Sequence, residues 1–221
     1  MLIAIETSGM SGSLALASDG NVVASRTLKS EGRRHAQSLV SEASQMLTEV
    51  SLTVQDLTGV AVSIGPGSFT GLRVGLVFAK TLAWIQNIPL VAVDTHRAMA
   101  QQRSSSRESV TILSDAQRNE LFVSSYEWTA NSDVCEILGE IGISKPDELP
   151  VRFPLAGPGL AKHRDALMEL GHRLVEEPIE PLADTVALVG VEMMRKQQFS
   201  VPETLEPIYI RPSYAEEKRA R

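Results

Sequence analysis

The pattern of apolar and polar positions at the start of the chain predicts a meander of β-strands. Residues 2–8 read LIAIETS, a continuous apolar and β-branched run that is typical of a buried strand. Residues 13–18 alternate in polarity, and the sequence DGN at 19–21 predicts a tight turn into a partner strand at 22–29. We therefore expect three adjacent strands joined by turns.

Beyond this meander the apolar period changes to that of an amphipathic helix. From His35 the apolar positions recur at helical spacing opposite a polar face, at Leu39, Val40, Ala43, Met46, Leu47 and Val50. The next segments are predicted to be a strand, a helix and a strand, at 59–64, 72–85 and 89–94. Asp94 or Thr95 is expected to cap a short helix that reaches Met99.

After a polar break at 101–109 the succession of elements recurs, although the residues themselves do not repeat. Strands are predicted at 110–115, 119–128, 134–143 and 172–177. Helices are predicted at 159–171 and 182–198. The final residues, 206–221, contain too much proline and charge for a core element, and we expect them to end in a short surface helix.

This succession predicts an α/β protein made of two similar halves. A strand meander followed by alternating helices and strands is the layout of a ribonuclease H-like lobe, and two such lobes make the actin–Hsp70–sugar kinase (ASKHA) architecture. The predicted division places an N-terminal lobe with partner-docking helices at 1–103. A shortened C-terminal lobe with a surface tail is predicted at 104–221.

Composition excludes several classes of protein. The chain has 221 residues, 43% of them hydrophobic, with a net charge of −6 and a single cysteine, Cys135. No run approaches the roughly 18 apolar residues of a membrane span, the start lacks the basic region of a secretory signal, and one cysteine favours a reducing cytoplasm. The acidic charge disfavours direct nucleic-acid binding. If the chain takes part in RNA chemistry, we therefore expect another subunit to make most of the phosphate contacts.

The stretch 64–75, IGPGSFTGLRVG, contains four glycines ahead of an apolar run. A glycine-rich loop before a helix can bind phosphate through its backbone N–H groups. This loop is not a Walker motif, because no Gly-Lys-Ser/Thr follows, and Phe69 lies in its middle. Ser68 is expected to cap the helix. A nucleotide-phosphate role therefore stays only as an alternative.

The helix behind this loop is predicted to contact a second chain. Four small residues recur every four positions, at Gly71, Gly75, Ala79 and Ala83. Such a row lets another helix approach closely, and the remaining positions are apolar nearly all the way round. A helix that is apolar on every side is buried on every side. We expect the helices at 35–50 and 71–86 to form a docking surface, with their packing on each other as the simpler alternative.

Candidate catalytic groups are few. The four histidines of the chain do not have the spacing of metal ligands, and each is expected to be a surface or capping residue. We therefore expect no bound metal. Glu6 and Asp115 end the first strand of each half, where actin-like kinases place acidic residues. The segment after Asp115 is not glycine-rich, however. Carboxylates that cap strand ends, or a vestigial nucleotide cleft, both remain open. No G-x-S-x-G nucleophile motif is present.

The stretch GPGSFTGLRVG resembles the signature of the bacterial TsaB (YeaZ) family, and its loop comprises Gly65, Pro66, Gly67, Ser68, Phe69, Thr70 and Gly71. Other pieces agree in order, and the resemblance covers essentially the whole chain: IAIETS, HAQSLVSEASQML, DAQRNELFVSSYEW and PIYIRPSYAE. One departure is Glu6-Thr7, where many relatives have Asp-Thr. This departure weakens a nucleotide role further.

The resemblance implies a part in making N6-threonylcarbamoyladenosine in tRNA. The partner TsaD carries the metal histidines and modifies adenosine 37 of tRNAs that read ANN codons. TsaB is a shortened relative that serves as a non-catalytic scaffold without a cofactor of its own. The ATPase TsaE binds the pair, and TsaC supplies threonylcarbamoyl-adenylate. A homodimer is expected for the isolated chain.

The docking residues expected from the helix pattern and the family are Leu39, Ala43, Met46, Phe69, Gly71, Arg73, Gly75, Phe78, Ala79 and Ala83. Two alternatives remain. One is an actin-like ATPase or kinase that uses Glu6 and Asp115. The other is a peptidase-like protein related to the glycoproteases, for which the sequence supplies neither nucleophile nor metal ligands.

Overall fold

The computed structural model describes residues 1–28, 35–130 and 132–210. The strands β1 to β9 are Leu2–Glu6, Ser13–Ser18, Asn21–Thr27, Gly59–Ser63, Leu90–Val93, Val110–Gln117, Glu120–Glu127, Glu136–Ser144 and Leu155–Ala156. The helices α1 to α5 are His35–Glu49, Phe69–Gln86, Thr95–Gln101, Leu160–Glu169 and Ala183–Arg195. None of the described helices has the length and apolar character that a bilayer span requires.

The first sheet has five strands in the order β3-β2-β1-β4-β5. β1, β2 and β3 form the predicted antiparallel meander, whereas β4 is parallel to β1 and β5 is parallel to β4. Asp19 and Gly20 turn between β2 and β3 with φ of 52° and 82°, the left-handed values that a two-residue hairpin turn needs. The predicted meander is confirmed.

Alternate residues of β1 face two different helical layers. Ile3 and Ile5 pack against α1 and α2, which lie on one face of the sheet. Leu2 and Ala4 point to the other face, where α5 packs. Because both faces are covered, the strand reads as a continuous apolar run. The first sheet is therefore the middle of three layers.

The predicted division at residues 103 and 104 does not describe this packing. It assigned the closing helix to the second lobe, but α5 lies across the first sheet. Its Gly190 sits so close that an added Cβ would be 2.6 Å from the Cβ of Ala61. The sheet face under α5 is built largely from alanines (Ala4, Ala15, Ala17 and Ala61), which leaves room for this approach.

The second sheet has four strands in the order β8-β7-β6-β9. The predicted strand at 172–177 is wrong: Leu174 makes only one isolated parallel bridge, to Leu155. β9 is two residues long and is followed by Gly157, whose φ of 101° turns the chain away. Because β9 ends after two residues, residues 172–177 cannot form a longer ladder beside it.

Helix α3 and a buried polar network connect the two sheets. Asp94 caps α3 as predicted, accepting a 2.8 Å hydrogen bond from the backbone N–H of His96. The His96 ring nitrogens lie 2.7 Å from the hydroxyls of Ser114 and Ser124, and the hydroxyl of Tyr126 donates to the Asp94 carboxylate. His96 is fully buried, so its expected surface or capping position is wrong.

The C-terminal strap, which we define as residues 200–210, crosses the edge of the first sheet. Ser200 forms an antiparallel bridge with Leu90 of β5, and the backbone N–H of Ile208 donates a 2.7 Å hydrogen bond to the carbonyl of Ile64. Residues 206–210 contain no helix. The rest of the predicted surface helix, 211–221, lies outside the described residues.

Candidate docking surface

The signature loop is pressed against the chain that follows β1. The backbone N–H of Ser68 donates a 2.8 Å hydrogen bond to the carbonyl of Ser8. At Gly67 an added Cβ would lie 2.6 Å from the Cβ of Ser8, so only glycine fits there. Gly65 adopts φ of 110° and donates a 3.0 Å hydrogen bond to the hydroxyl of Thr95. The N–H groups of Gly65 and Ser68 are therefore engaged within the chain.

The side chain of Ser68 caps α2, as predicted. Its hydroxyl accepts a 3.3 Å hydrogen bond from the N–H of Gly71, and the helix begins at Phe69. Behind the cap, a Cβ on Gly71 would overlap the carbonyl oxygen of Thr7, and a Cβ on Gly75 would overlap the hydroxyl of the same residue. The glycines of α2 thus permit close packing of a helix on β1 and its following loop.

The expectation that the small row faces a partner is therefore wrong. Helix α2 turns this row toward its own sheet, because only small side chains let its backbone approach β1 so closely. Three further predicted docking residues of α1 lie in the same core, and Phe78 packs against it half-buried. The buried residues are Leu39, Ala43, Met46, Gly71, Gly75, Ala79 and Ala83.

The opposite side of α2 is exposed, and much of it is apolar. Positions 73, 77, 81 and 84 follow at helical spacing and all are exposed. The exposed fraction is 64% for Val77, 76% for Trp84 and 63% for Ile85. Such a grouping of large apolar side chains on one helix face marks an interaction site more often than chance. We call this set, with Arg73 and Thr81, the outer face of α2.

Two predicted docking residues, Phe69 and Arg73, lie at the N-terminal end of this face. The Arg73 guanidinium lies 3.9 Å above the centre of the Phe69 ring. The ring of Tyr209, from the strap, has its centroid 5.3 Å from that of Phe69. The Tyr209 hydroxyl accepts a 3.2 Å hydrogen bond from Arg73 Nε. Three side chains from two distant segments thus form one aromatic and cationic cluster.

Glu6 is enclosed beneath the signature loop. Its Oε1 accepts a hydrogen bond from the backbone N–H of Ser8, whereas Oε2 and the nearby hydroxyls of Ser8 and Ser63 are buried without a hydrogen-bond partner. Burial raises the pKa of Glu6, although the backbone N–H groups of Ser8 and Gly9 oppose this. A carboxylic acid in this environment is held away from solvent.

Asp115 lies in a different setting. It is half-exposed in the second sheet and pairs with Lys162, which lowers the pKa of Asp115. Within the described ranges, no hydrogen bond or ion pair joins it to Glu6, so the structure does not bring the two candidate carboxylates together as one site. The same ranges contain no group of three His, Cys, Asp or Glu side chains placed to hold a metal.

Sequence reasoning missed the residues that the outer face exposes. The sequence pattern treats Val77, Trp84 and Ile85 only as part of an apolar coat and places Tyr209 in a surface tail. The signal for the three helix residues is the 3–4 spacing that they share with Arg73 and Thr81; no such signal exists for Tyr209. Val40 of α1, which the sequence pattern places on the apolar face of its helix, is also 63% exposed.

Comparisons with known proteins agree with this geometry. The family model described as TsaD, tRNA N6-adenosine threonylcarbamoyltransferase, matches residues 21–195. The Escherichia coli K12 tRNA threonylcarbamoyladenosine biosynthesis protein TsaB is 28% identical over 98% of this chain and 97% of its own. The Bacillus subtilis 168 protein of that description is 26% identical over 86% of this chain and 79% of its own.

The fold has a close counterpart among solved structures. A Pseudomonas aeruginosa protein, described as having similarity to peptidase YEAZ, superposes with a TM-score of 0.80. It is 23% identical, and the match covers 95% of this chain and 99% of that one. The chain therefore belongs to the TsaD family, and two curated relatives that align with most of its length carry the name TsaB.

Proposed function

We propose that this chain is a non-catalytic subunit of the complex that forms threonylcarbamoyladenosine on tRNA, and that it acts by pairing with a TsaD-type transferase. The observation that carries the proposal is the exposed outer face of α2, directly behind the family signature loop. Val77 and Trp84 are far more exposed than core side chains, and an apolar helix face of this kind is stabilised when another chain covers it.

Three features support a role without catalysis by this chain. Two N–H groups of the signature loop donate hydrogen bonds to Ser8 and Thr95, so they are not available to bind a phosphate. Glu6 is sealed from solvent. The carboxylate of Asp115 forms an ion pair with Lys162. The proposed role requires no cofactor in this chain, and these features disfavour both the ATPase and the kinase alternatives.

The two-sheet layout supports a reduced form of the actin–Hsp70–sugar kinase architecture. The first lobe keeps a five-stranded sheet covered on both faces, whereas the second has four strands and ends in a two-residue strand. We propose that the shortened second lobe reflects loss of a substrate site. The first lobe would then be retained because it carries the docking helix.

The proposed partner is a TsaD-type chain because this chain shares that family's model. Two related lobes can place equivalent helices against each other around a pseudo-twofold axis. The same surface is then expected to pair two copies when the partner is missing. A TsaE-type ATPase is proposed to bind the assembled pair. With a net charge of −6, this chain is proposed to reach tRNA only within the complex, in the cytoplasm.

Reconstitution tests the proposal. Purified TsaD-type transferase, TsaE-type ATPase, tRNA and a source of threonylcarbamoyl-adenylate from the same organism are combined with and without this chain, and modified adenosine is measured. We expect modification to require the chain and to persist with Glu6→Gln and Asp115→Asn. Equal modification without the chain would contradict its role as a required subunit. Loss of modification with both variants, while the complex still assembles, would contradict a non-catalytic role.

A further inference from the structure

We infer that the C-terminal strap positions Arg73 as a carboxylate-binding group at one end of the outer face. The protein partner then presents an acidic side chain to this arginine. This inference rests on the proposed function. It adds the chemistry of the partner surface and a positioning role for Tyr209.

The strap is fixed along its length to the first lobe. At its start, the N–H of Ser200 donates a 2.8 Å hydrogen bond to the carbonyl of Leu90. In its middle, Leu205 packs against the core and its carbonyl accepts a 2.7 Å hydrogen bond from Lys80 Nζ. Near its end, Ile208 bonds to Ile64, just before the signature loop. These anchors bring residue 209 to the start of α2.

Tyr209 and Phe69 together fix the orientation of Arg73. The Phe69 ring packs against the flat face of the guanidinium, and the Tyr209 hydroxyl accepts a hydrogen bond from Nε. An arginine has five N–H donors in a planar fork. With Nε engaged, the two terminal nitrogens keep the geometry that accepts a carboxylate in a bidentate pair.

Arg73 has no acidic partner among residues 1–28, 35–130 and 132–210, whereas Arg26, Arg97, Arg103, Arg164, Arg173 and Arg195 each pair with a glutamate in those ranges. A guanidinium held by an aromatic ring beside exposed apolar side chains has the composition of an interface hot spot. Val77 lies one helical turn beyond it. The complementary surface is therefore an acidic side chain next to an apolar one.

A nucleic-acid phosphate fits this site less well than a protein carboxylate. Phosphate backbones are bound by several cations acting together. The other basic residue described on α2, Lys80, already donates to the carbonyl of Leu205. Arg73 is thus a single charge next to an apolar face, which suits one carboxylate of a protein surface.

Binding measurements at two salt concentrations test the inference. The TsaD-type partner is titrated against the full chain and its variants. We expect Arg73→Ala to weaken binding about tenfold at low salt and to reduce its salt dependence. Arg73→Lys keeps the charge and should retain the salt dependence, with an intermediate loss of affinity. Tyr209→Phe keeps the ring but removes the acceptor, and a loss of about threefold is expected.

Each variant is checked by thermal unfolding, because a purely structural role would lower stability without altering the salt dependence. Trp84→Ala separates the inference from the proposed function. If Trp84→Ala weakens binding while Arg73→Ala binds like the wild type at both salt concentrations, the inference fails and the docking face stands. Unchanged binding by Trp84→Ala would contradict the docking face itself. A loss confined to tRNA binding in Arg73→Ala would also overturn the carboxylate assignment.

Discussion

The hydroxyl of Thr7 donates a 2.8 Å hydrogen bond to the carbonyl oxygen of Gly71. The carbonyl oxygen of Thr7 in turn fills the space where a side chain at Gly71 would begin. This contact joins the residue after β1 to the first turn of α2. It explains why the signature loop is rich in glycine: the loop and helix lie directly on the chain's own backbone.

We predict that Gly71→Ala destabilises the isolated protein. The added Cβ would overlap a backbone oxygen that cannot rotate away, so the helix must shift from the sheet, at a cost of about 2 kcal/mol or more. Chemical denaturation measures the free energy of unfolding. Gly142→Ala is the matched control, because nothing lies within 4 Å of a Cβ added there and its φ is not positive. Equal stability of the two variants would contradict the contact.

We predict that Glu6→Gln stabilises the protein at neutral pH. Because burial raises the pKa of Glu6 above its usual 4.5, ionising this carboxyl costs more in the folded than in the unfolded chain. The stability contributed by the neutral acid is complete below about pH 4.5 and is lost as the pH rises through the folded-state pKa. Glutamine carries no charge at any of these pH values, so it has no such loss of stability. Its side-chain oxygen can still accept the hydrogen bond from the backbone N–H of Ser8.

Unfolding free energies of wild type and Glu6→Gln at pH 5 and pH 8 test this effect of burial. The advantage of the variant should be larger at pH 8. Asp115→Asn serves as the opposite case, because Lys162 lowers the pKa of Asp115, and this variant should lose stability relative to wild type at neutral pH. An advantage of Glu6→Gln that is independent of pH would contradict the raised pKa.

We predict that His96 stays neutral in the folded protein throughout pH 4–8. Burial lowers its pKa to about 3 from the usual 6.5, so this group's contribution to stability is complete above pH 6.5 and falls as the pH drops toward 3. NMR signals of its ring should show no titration midpoint between pH 4 and pH 8. A midpoint near 6.5 would mean that the ring is reached by water.

We predict that Tyr126→Phe lowers stability by about 1–3 kcal/mol, because a buried carboxylate and a serine hydroxyl would each lose a partner. Its hydroxyl donates to Asp94 and accepts a 3.1 Å hydrogen bond from Ser124. Thermal unfolding measures the change. The same substitution at Tyr209, a residue that is 42% exposed, is the control and should alter stability little. A loss no greater than in Tyr209→Phe would contradict a structural role for the network.

The order of elements could be predicted from the sequence, whereas the assignment of helices to lobes could not. The apolar period identifies β1 and α5 as a buried strand and an amphipathic helix. It carries no information about which sheet a helix covers, and α5 crosses back to the first sheet because the alanines of β1, β2 and β4 leave room for it. A contiguous lobe boundary was therefore the wrong model.

The sequence indicated that α2 packs closely against a neighbour, but not which side of this helix is exposed. The row from Gly71 to Ala83 correctly indicated a close approach, but small residues do not reveal whether the neighbour is a second chain or the helix's own sheet. Because α2 is apolar on nearly every side, its exposed side depends on where β1 lies. Trp84 and Val77 could be recognised only once that packing was known. Tyr209 joins them through the strap, a tertiary contact without periodicity.

We propose that a TsaD-type partner covers the outer face of α2, and a binding titration can establish whether it does. Val77→Asp is compared with Val151→Asp in titrations against that partner, because the two valines have nearly equal exposed fractions, 64% and 65%. A charge buried in an apolar interface costs far more than one left in water. We predict that Val77→Asp weakens binding at least about a hundredfold, whereas Val151→Asp binds like the wild type. Equal binding by both folded variants would contradict the account.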